Sequence, residues 1–266
     1  MRFLEPMNRT RSRQHGFSLI EMMVALLVAL FLLGGLGTMV AGTHKTSTNQ
    51  TSLATLQDEQ RLAMSILNDT VQTAGYFNSS CATCTLTPPF TAVTTTGTVA
   101  SAPATALLAG QIIGGVHTSI AAPDTLVVQY QTSGTDGVIN CDGNTNTAQM
   151  IYTNFFFVNT AVTPNQLECS SDGNSDDAHP LVNNVVNMQV WYGVSTVTGS
   201  QNVDTYMTAN QVTAAQWPNV VSVKIILTFN NPLYGPPGQP QPGQAQYVYL
   251  TRVIALQANT GAAWNL

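Results

Sequence analysis

The sequence predicts an α+β protein in which one long N-terminal helix packs on an antiparallel β-sheet head, with a second, smaller sheet. Three observations carry that expectation. Residues 17–42 form an apolar run of 26 residues whose only charge is Glu21. Residues 53–77 continue with apolar side chains at helical spacing, and beyond Cys84 the chain changes to short β-branched and aromatic runs separated by turn residues. At 266 residues the chain can hold one such head plus an anchor, because β-rich folds run past about 200 residues without splitting.

The first element is a basic leader. Arg2, Arg9, Arg11 and Arg13 supply four of the eight basic residues, while only 8% of the whole chain is charged and 44% is apolar. Thr, Asn, Gln and Ser fill the positions that Lys and Glu usually occupy in cytosolic proteins, a composition that suits export. The apolar run that follows is long enough to span a bilayer as a helix, which takes about 20 residues. Four arginines precede it and only Lys45 follows closely, so the positive-inside rule leaves the N-terminus in the cytoplasm and exports the rest.

Glu21 is what separates this segment from an ordinary signal peptide or a plain anchor. A carboxylate inside an apolar run costs roughly 2.5–3.5 kcal/mol at a bilayer centre and less near the interface, and a simple anchor gains nothing from it. The residues Gly16-Phe17-Ser18-Leu19-Ile20-Glu21 behind a short basic leader resemble the processing site of type IV prepilins. The resemblance implies cleavage after Gly16 by a membrane prepilin peptidase, N-methylation of Phe17 by the same enzyme, and an assembly role for Glu21. Its physical reason is that an ammonium on Phe17 of one subunit can pair with Glu21 of the next. Such pairing offsets the burial of both charges and fixes register. After cleavage the chain keeps four basic against twelve acidic residues, a net charge of −8 that argues against direct nucleic-acid binding.

Major subunits of that family carry a helix-bending proline at the position where this chain has Thr38. Gly34, Gly35, Gly37 and Gly42 lie close by and either supply the same flexibility or permit close helix packing. After a polar stretch at 43–52, residues 53–77 read as an amphipathic helix, with Leu53, Leu56, Ala63, Leu67, Val71 and Ala74 on one stripe and Gly75 as its C-cap. One helix from 17 to about 74 would be roughly 85 Å long at 1.5 Å per residue. The expected organisation is a cleaved leader (1–16), a membrane and filament-core helix (17–42), an amphipathic spine (43–77) and an exported head (78–266).

In the head, strands are expected at 125–130, 148–158, 185–193, 220–229 and 247–256. In the fourth, Val221, Val223, Ile225, Leu227 and Phe229 alternate with Ser222, Lys224 and Thr228, so the odd-numbered face should meet the core. The Pro- and Gly-rich segment 230–243 reads as an exposed connection. The runs PLVNNVVNMQVWYGV, DTYMTANQVTAAQWPNVVSVKIIL and VYLTRVIALQ resemble the PilW-type minor pilins. That resemblance implies a low-abundance pilin-like subunit that primes assembly and sits at the pilus tip. Its partners would be the prepilin peptidase/methyltransferase, other minor pilins, the major pilin and, optionally, a tip adhesin. It would pass from the inner membrane through the periplasm to the cell surface. A pseudopilin of type II secretion shares the plan and is the alternative, ahead of an anchored exported enzyme or binding protein.

Four cysteines, Cys81, Cys84, Cys141 and Cys169, lie on the exported side, an even count that points to two disulfides. Three pairings are open, and Cys81–Cys84 with Cys141–Cys169 is preferred because each pair flanks one local unit. The Cys81-x-x-Cys84 spacing lacks the βαβ setting of redox motifs, so a structural bond is expected. The acidic turns 142–144 and 170–177 lack the EF-hand ligand pattern and read as solvated turns. His44, His117 and His179 stand without partners at catalytic or ligand spacing and read as surface residues. No catalytic residue, metal or cofactor is assigned.

Overall fold

The computed structural model describes residues 16, 18–77, 90–197, 200–235 and 239–259. The chain divides into two compact units, residues 1–51 and 52–266. Helix α1 (Leu19–Gln72) begins in the first and ends in the second without interruption. It contains no proline, and its four glycines at 34, 35, 37 and 42 do not break it. The polar stretch is helical too, and its threonine hydroxyls donate back to carbonyls of the preceding turn. Thr43 Oγ1 donates to Met39 O at 2.6 Å, Thr46 to Gly42 at 3.0 Å, Thr48 to His44 at 3.0 Å and Thr51 to Ser47 at 3.0 Å. Thr38 does the same to Gly35 O at 2.8 Å, a contact that favours bending without the loss of a backbone hydrogen bond that proline brings.

Among the described residues the second unit holds eleven strands: β1 (Val93–Thr94), β2 (Ala106–Leu107), β3 (Ile113–Gly114), β4 (Leu126–Thr132), β5 (Met150–Asn159), β6 (Gln166–Ser170), β7 (His179–Asn183), β8 (Val185–Val194), β9 (Thr205–Met207), β10 (Val220–Asn230) and β11 (Tyr247–Ala255). They form a five-stranded sheet in the order β3-β4-β5-β6-β7, a four-stranded sheet in the order β11-β10-β8-β9, and the pair β1-β2. Every strand pairing within these sheets is antiparallel. The fold is therefore α+β, one long helix with antiparallel sheets.

One apolar cluster joins three sources: Leu56, Ala63, Leu67 and Val71 of α1; Leu126, Val128, Phe156 and Val158 of the larger sheet; and Met188, Val190, Val223, Ile225, Leu227 and Phe229 of the smaller one. The odd-numbered face of β10 is buried as its alternation predicts. Its even face departs from expectation, because Ser222 and Thr228 are buried too and only Lys224 and Ile226 are partly open. The continuous apolar run in β5 has a simple cause. Phe156 and Val158 face the main cluster, whereas Phe155 and Phe157 pack with Val127, Ala102 and Leu107 in a second cluster on the opposite face.

Gly75 closes the helix at a φ of +77°, and its N–H donates to Gln129 O of β4 at 2.8 Å. A side chain there would be strained by that backbone and would strike Ile112. The helix end is thereby tied to the edge of the larger sheet. The proline-rich connection between β10 and β11 is half-buried at Asn231 and 233–235 and exposed at Pro232 and 239–246, held by Asn231 N–H donating to Gln246 O at 2.9 Å.

Candidate assembly surface

The N-terminal part of α1 presents apolar side chains to the surroundings on all sides. Leu19 is 78% exposed and Phe31 85%, and no residue of the most apolar window is buried. A helix apolar all round must be covered by lipid or by other helices. Gly16 and Glu21 lie at its start, both exposed, with Met22 N–H donating to Ser18 O at 3.2 Å to open the first turn. Phe17, the expected methylated terminus, lies outside the described residues, as do Cys81 and Cys84. Glu21 precedes the next charged side chain, Lys45, by more than six turns. Within the helix its carboxylate meets no cation, which leaves it available to one from outside.

Within the head, Cys141 and Cys169 are joined by a disulfide, both sulfurs buried, with a Cα–Cα distance of 6.3 Å. It ties the loop before β5 to β6. Asp142 lies beside the two sulfurs, but sulfurs spent on a disulfide are not thiolate ligands. The acidic turn at 170–177 closes on itself. Asp172 Oδ1 accepts from Ser170 Oγ at 2.6 Å and Asn174 N–H at 2.9 Å, and Asp176 Oδ1 accepts from Thr98 N–H at 2.7 Å. These carboxylates serve as turn and loop fasteners.

His117 corrects the sequence reading. It is not a free surface residue: its side chain is 11% exposed, and Nδ1 lies 2.7 Å from Asp124 Oδ1. Asp124 Oδ2 accepts from Val190 N–H at 2.8 Å, and its own N–H donates to Met188 O at 2.7 Å. The pair clips the segment before β4 onto β8. Burial pushes the Asp124 carboxyl above its usual range, opposed by the hydrogen bonds from Val190 and His117. A sequence separation of seven between His117 and Asp124 matches no ligand or triad pattern, so nothing in the sequence flagged the pair.

Two family models match the chain. The prokaryotic N-terminal methylation motif matches residues 11–37, which span Gly16, Phe17 and Glu21. The type IV pilus-assembly protein W model matches residues 155–256, from within β5 through β11. Together the two matches support a PilW-type minor pilin. Among solved structures it is similar to a type IV-like pilin from Thermus thermophilus, at 13% identity over 77% of this chain and 98% of that one, with a TM-score of 0.40. No curated protein matches it. The assignment rests on the two family models, which meet the same chain at its processing motif and in its head. The methylation motif and the apolar N-terminal helix fit a membrane-anchored pilin, and the two matches point to a structural subunit and imply processing by prepilin peptidase and association with other pilins.

Proposed function

We propose that this minor pilin is cut after Gly16, methylated on Phe17 and inserted through α1 into the helical core of a type IV pilus, where it helps prime assembly and remains in the tip complex. The observation that carries the reading is the position of Glu21, the lone charge on an otherwise apolar, fully exposed helical surface, five residues behind Gly16 within the methylation motif. In a bundle of such helices, the ammonium of a neighbouring subunit relieves the cost of that carboxylate and sets the axial register. Before assembly the protein would sit in the inner membrane with its N-terminus cytoplasmic and its head in the periplasm; afterwards the head would be at the cell surface.

Glu21→Ala tests this directly. The variant should be produced, cleaved and retained in the membrane, yet be missing from sheared, purified pili, and a strain carrying it should be depleted in surface pili to the extent that a deletion strain is. Normal incorporation would remove the role assigned to Glu21. Scoring both surface pili and exported enzymes in the deletion strain separates pilus from secretion function; lost secretion with intact pili would move the assignment to a pseudopilus.

A further inference from the structure

The smaller sheet ends in a strand whose outer edge is open. Leu256 N–H donates to Val221 O at 3.0 Å and Asn231 N–H to Gln246 O at 2.9 Å, so the even-numbered residues of β11 exchange hydrogen bonds with β10. The N–H and C=O groups of Tyr249, Thr251 and Val253 therefore point away from the sheet, and β11 pairs with no other strand among the described residues. It runs in register with β10 along its whole length and contains no proline or bulge. At nine residues it is longer than β9, β3 and β7, the other edge strands of the two larger sheets, which have three, two and five. Tyr249 and Val253, 67% and 53% exposed, add apolar surface on one face of it. A long, regular edge of this kind is a template for a further strand, which proteins otherwise shorten, bulge or block with proline.

Beside that edge, a cleft of about 400 Å³ is lined by Arg61, Met64 and Ser65 of α1 and by Leu250, Thr251 and Arg252 of β11. Arg252 shares its face of the strand with Leu250 and Ile254, which pack into the core that α1 also joins. Residues 52–266 contain only three Lys or Arg against eleven Asp or Glu, and two of the three meet at this one place. Neither arginine is paired with a carboxylate among the described residues, whereas Lys224 lies over the Trp191 ring at 5.5 Å. Two unpaired guanidiniums decide what can pair at the edge. A second copy joined through β11 would set four guanidiniums together, so the arginines guard against self-association and favour a segment that carries a carboxylate. Beyond the leader, the stretches of this chain outside the described residues hold no Asp or Glu, so that carboxylate belongs to another protein.

From this arrangement we infer that β11 accepts an extended segment of a different pilin as a further strand of the smaller sheet, with an Asp or Glu of that segment held by Arg61 and Arg252. Side chains of an added strand alternate between its two faces. The acidic residue therefore lies on the face toward α1, and its immediate neighbours, apolar and β-branched or aromatic, lie on the face of Tyr249 and Val253. Main-chain hydrogen bonds to Tyr249, Thr251 and Val253 supply affinity, and the alternating side chains supply specificity. The contact joins one copy of this chain to one unlike subunit, as a low-abundance member of a tip complex requires. The inference rests on the assembly reading and adds to it the surface used and the chemistry of the neighbour.

The test places the photo-reactive residue p-benzoylphenylalanine at Tyr249 of the full-length chain, in cells that make all the pilins of its system. After irradiation, peptide mass spectrometry reads what is joined to position 249. The expected adduct is with an Asp- or Glu-bearing segment of another chain that has the prepilin processing motif. Thr251→Pro removes an outward N–H and none that bonds to β10, and should abolish the adduct. Arg61→Glu with Arg252→Glu, both at exposed positions, should lower its yield about tenfold, a change of about 1.4 kcal/mol. Lysine in place of the carboxylate in the adducted segment should restore it. Unchanged melting temperatures would show that the variants fold, and if Thr251→Pro does not, the arginine reversal decides alone. No adduct, an adduct to lipid, to a second copy or within the chain, or a yield indifferent to the arginine reversal would overturn the inference. A chain that gives no adduct yet enters pili in a Glu21-dependent manner would remove the added strand and leave the filament role standing.

Discussion

Replacing Asp124 with alanine is expected to destabilise the head more than any other single polar substitution discussed here. The carboxylate holds two buried donors, His117 Nδ1–H at 2.7 Å and Val190 N–H at 2.8 Å. Alanine leaves both unsatisfied in a site where the Asp124 side chain itself is 2% exposed. Each orphaned donor costs about 1–3 kcal/mol, so the loss is about 2–6 kcal/mol. For a unit of this size, a kcal/mol corresponds to roughly 2–4 °C of melting temperature. Asp124→Asn keeps one acceptor and should lose about half as much. The assay is thermal and urea unfolding of the detergent-solubilised chain, followed by near-UV circular dichroism. The pH dependence follows from the raised pKa of Asp124. A carboxyl whose folded value lies above its ordinary value near 3.8 contributes stability that is complete below that value and lost as pH rises through the folded one. The advantage of wild type over Asp124→Asn should therefore narrow from pH 4 upward. An Asp124→Ala variant within about 1 kcal/mol of wild type would refute the clip between the segment before β4 and β8.

Three further outcomes test other parts of the structure. Leu67 is fully buried where α1 meets the shared core, and Leu67→Ala should cost about 2–5 kcal/mol by urea unfolding. Replacing Cys141 and Cys169 together with serine opens a link between residues 28 apart, and chain entropy puts the cost near 3.5 kcal/mol, measurable as a lower urea midpoint. The Tyr192 hydroxyl is buried without a hydrogen-bond partner among the described residues, and its ring makes an edge contact with Trp217 at 4.8 Å. Tyr192→Phe keeps the ring contact and removes the orphan, so it should raise stability by about 1 kcal/mol in the same unfolding measurement.

The long helix was legible because its two periodic signals, an apolar run and then an amphipathic stripe, are strong and uninterrupted. The polar stretch at 43–52 continues the same helix, in line with the reading of one helix from 17 to about 74. Strands β4, β5, β8, β10 and β11 fall within two residues of expectation because β-branched and aromatic residues dominate them. β6 and β7 were not foreseen. The first, Gln-Leu-Glu-Cys-Ser, runs straight into an acidic turn, and the second carries Pro180, which is tolerated because β7 is the sheet's edge. The processing motif is local in sequence, so Gly16, Phe17 and Glu21 could be read directly. The pairing of His117 with Asp124, and the grouping of Arg61 with Arg252, depend on tertiary structure and left no spacing signature.

The central claim is that this chain is processed and assembled as a pilin, and the most direct measurement is intact and peptide mass spectrometry of the mature protein taken from membranes and from sheared pili. The account predicts a chain in both fractions that begins at Phe17 and carries one added methyl group on its terminal nitrogen. A chain beginning at Met1, or one beginning beyond residue 42 with the apolar helix removed, would contradict it.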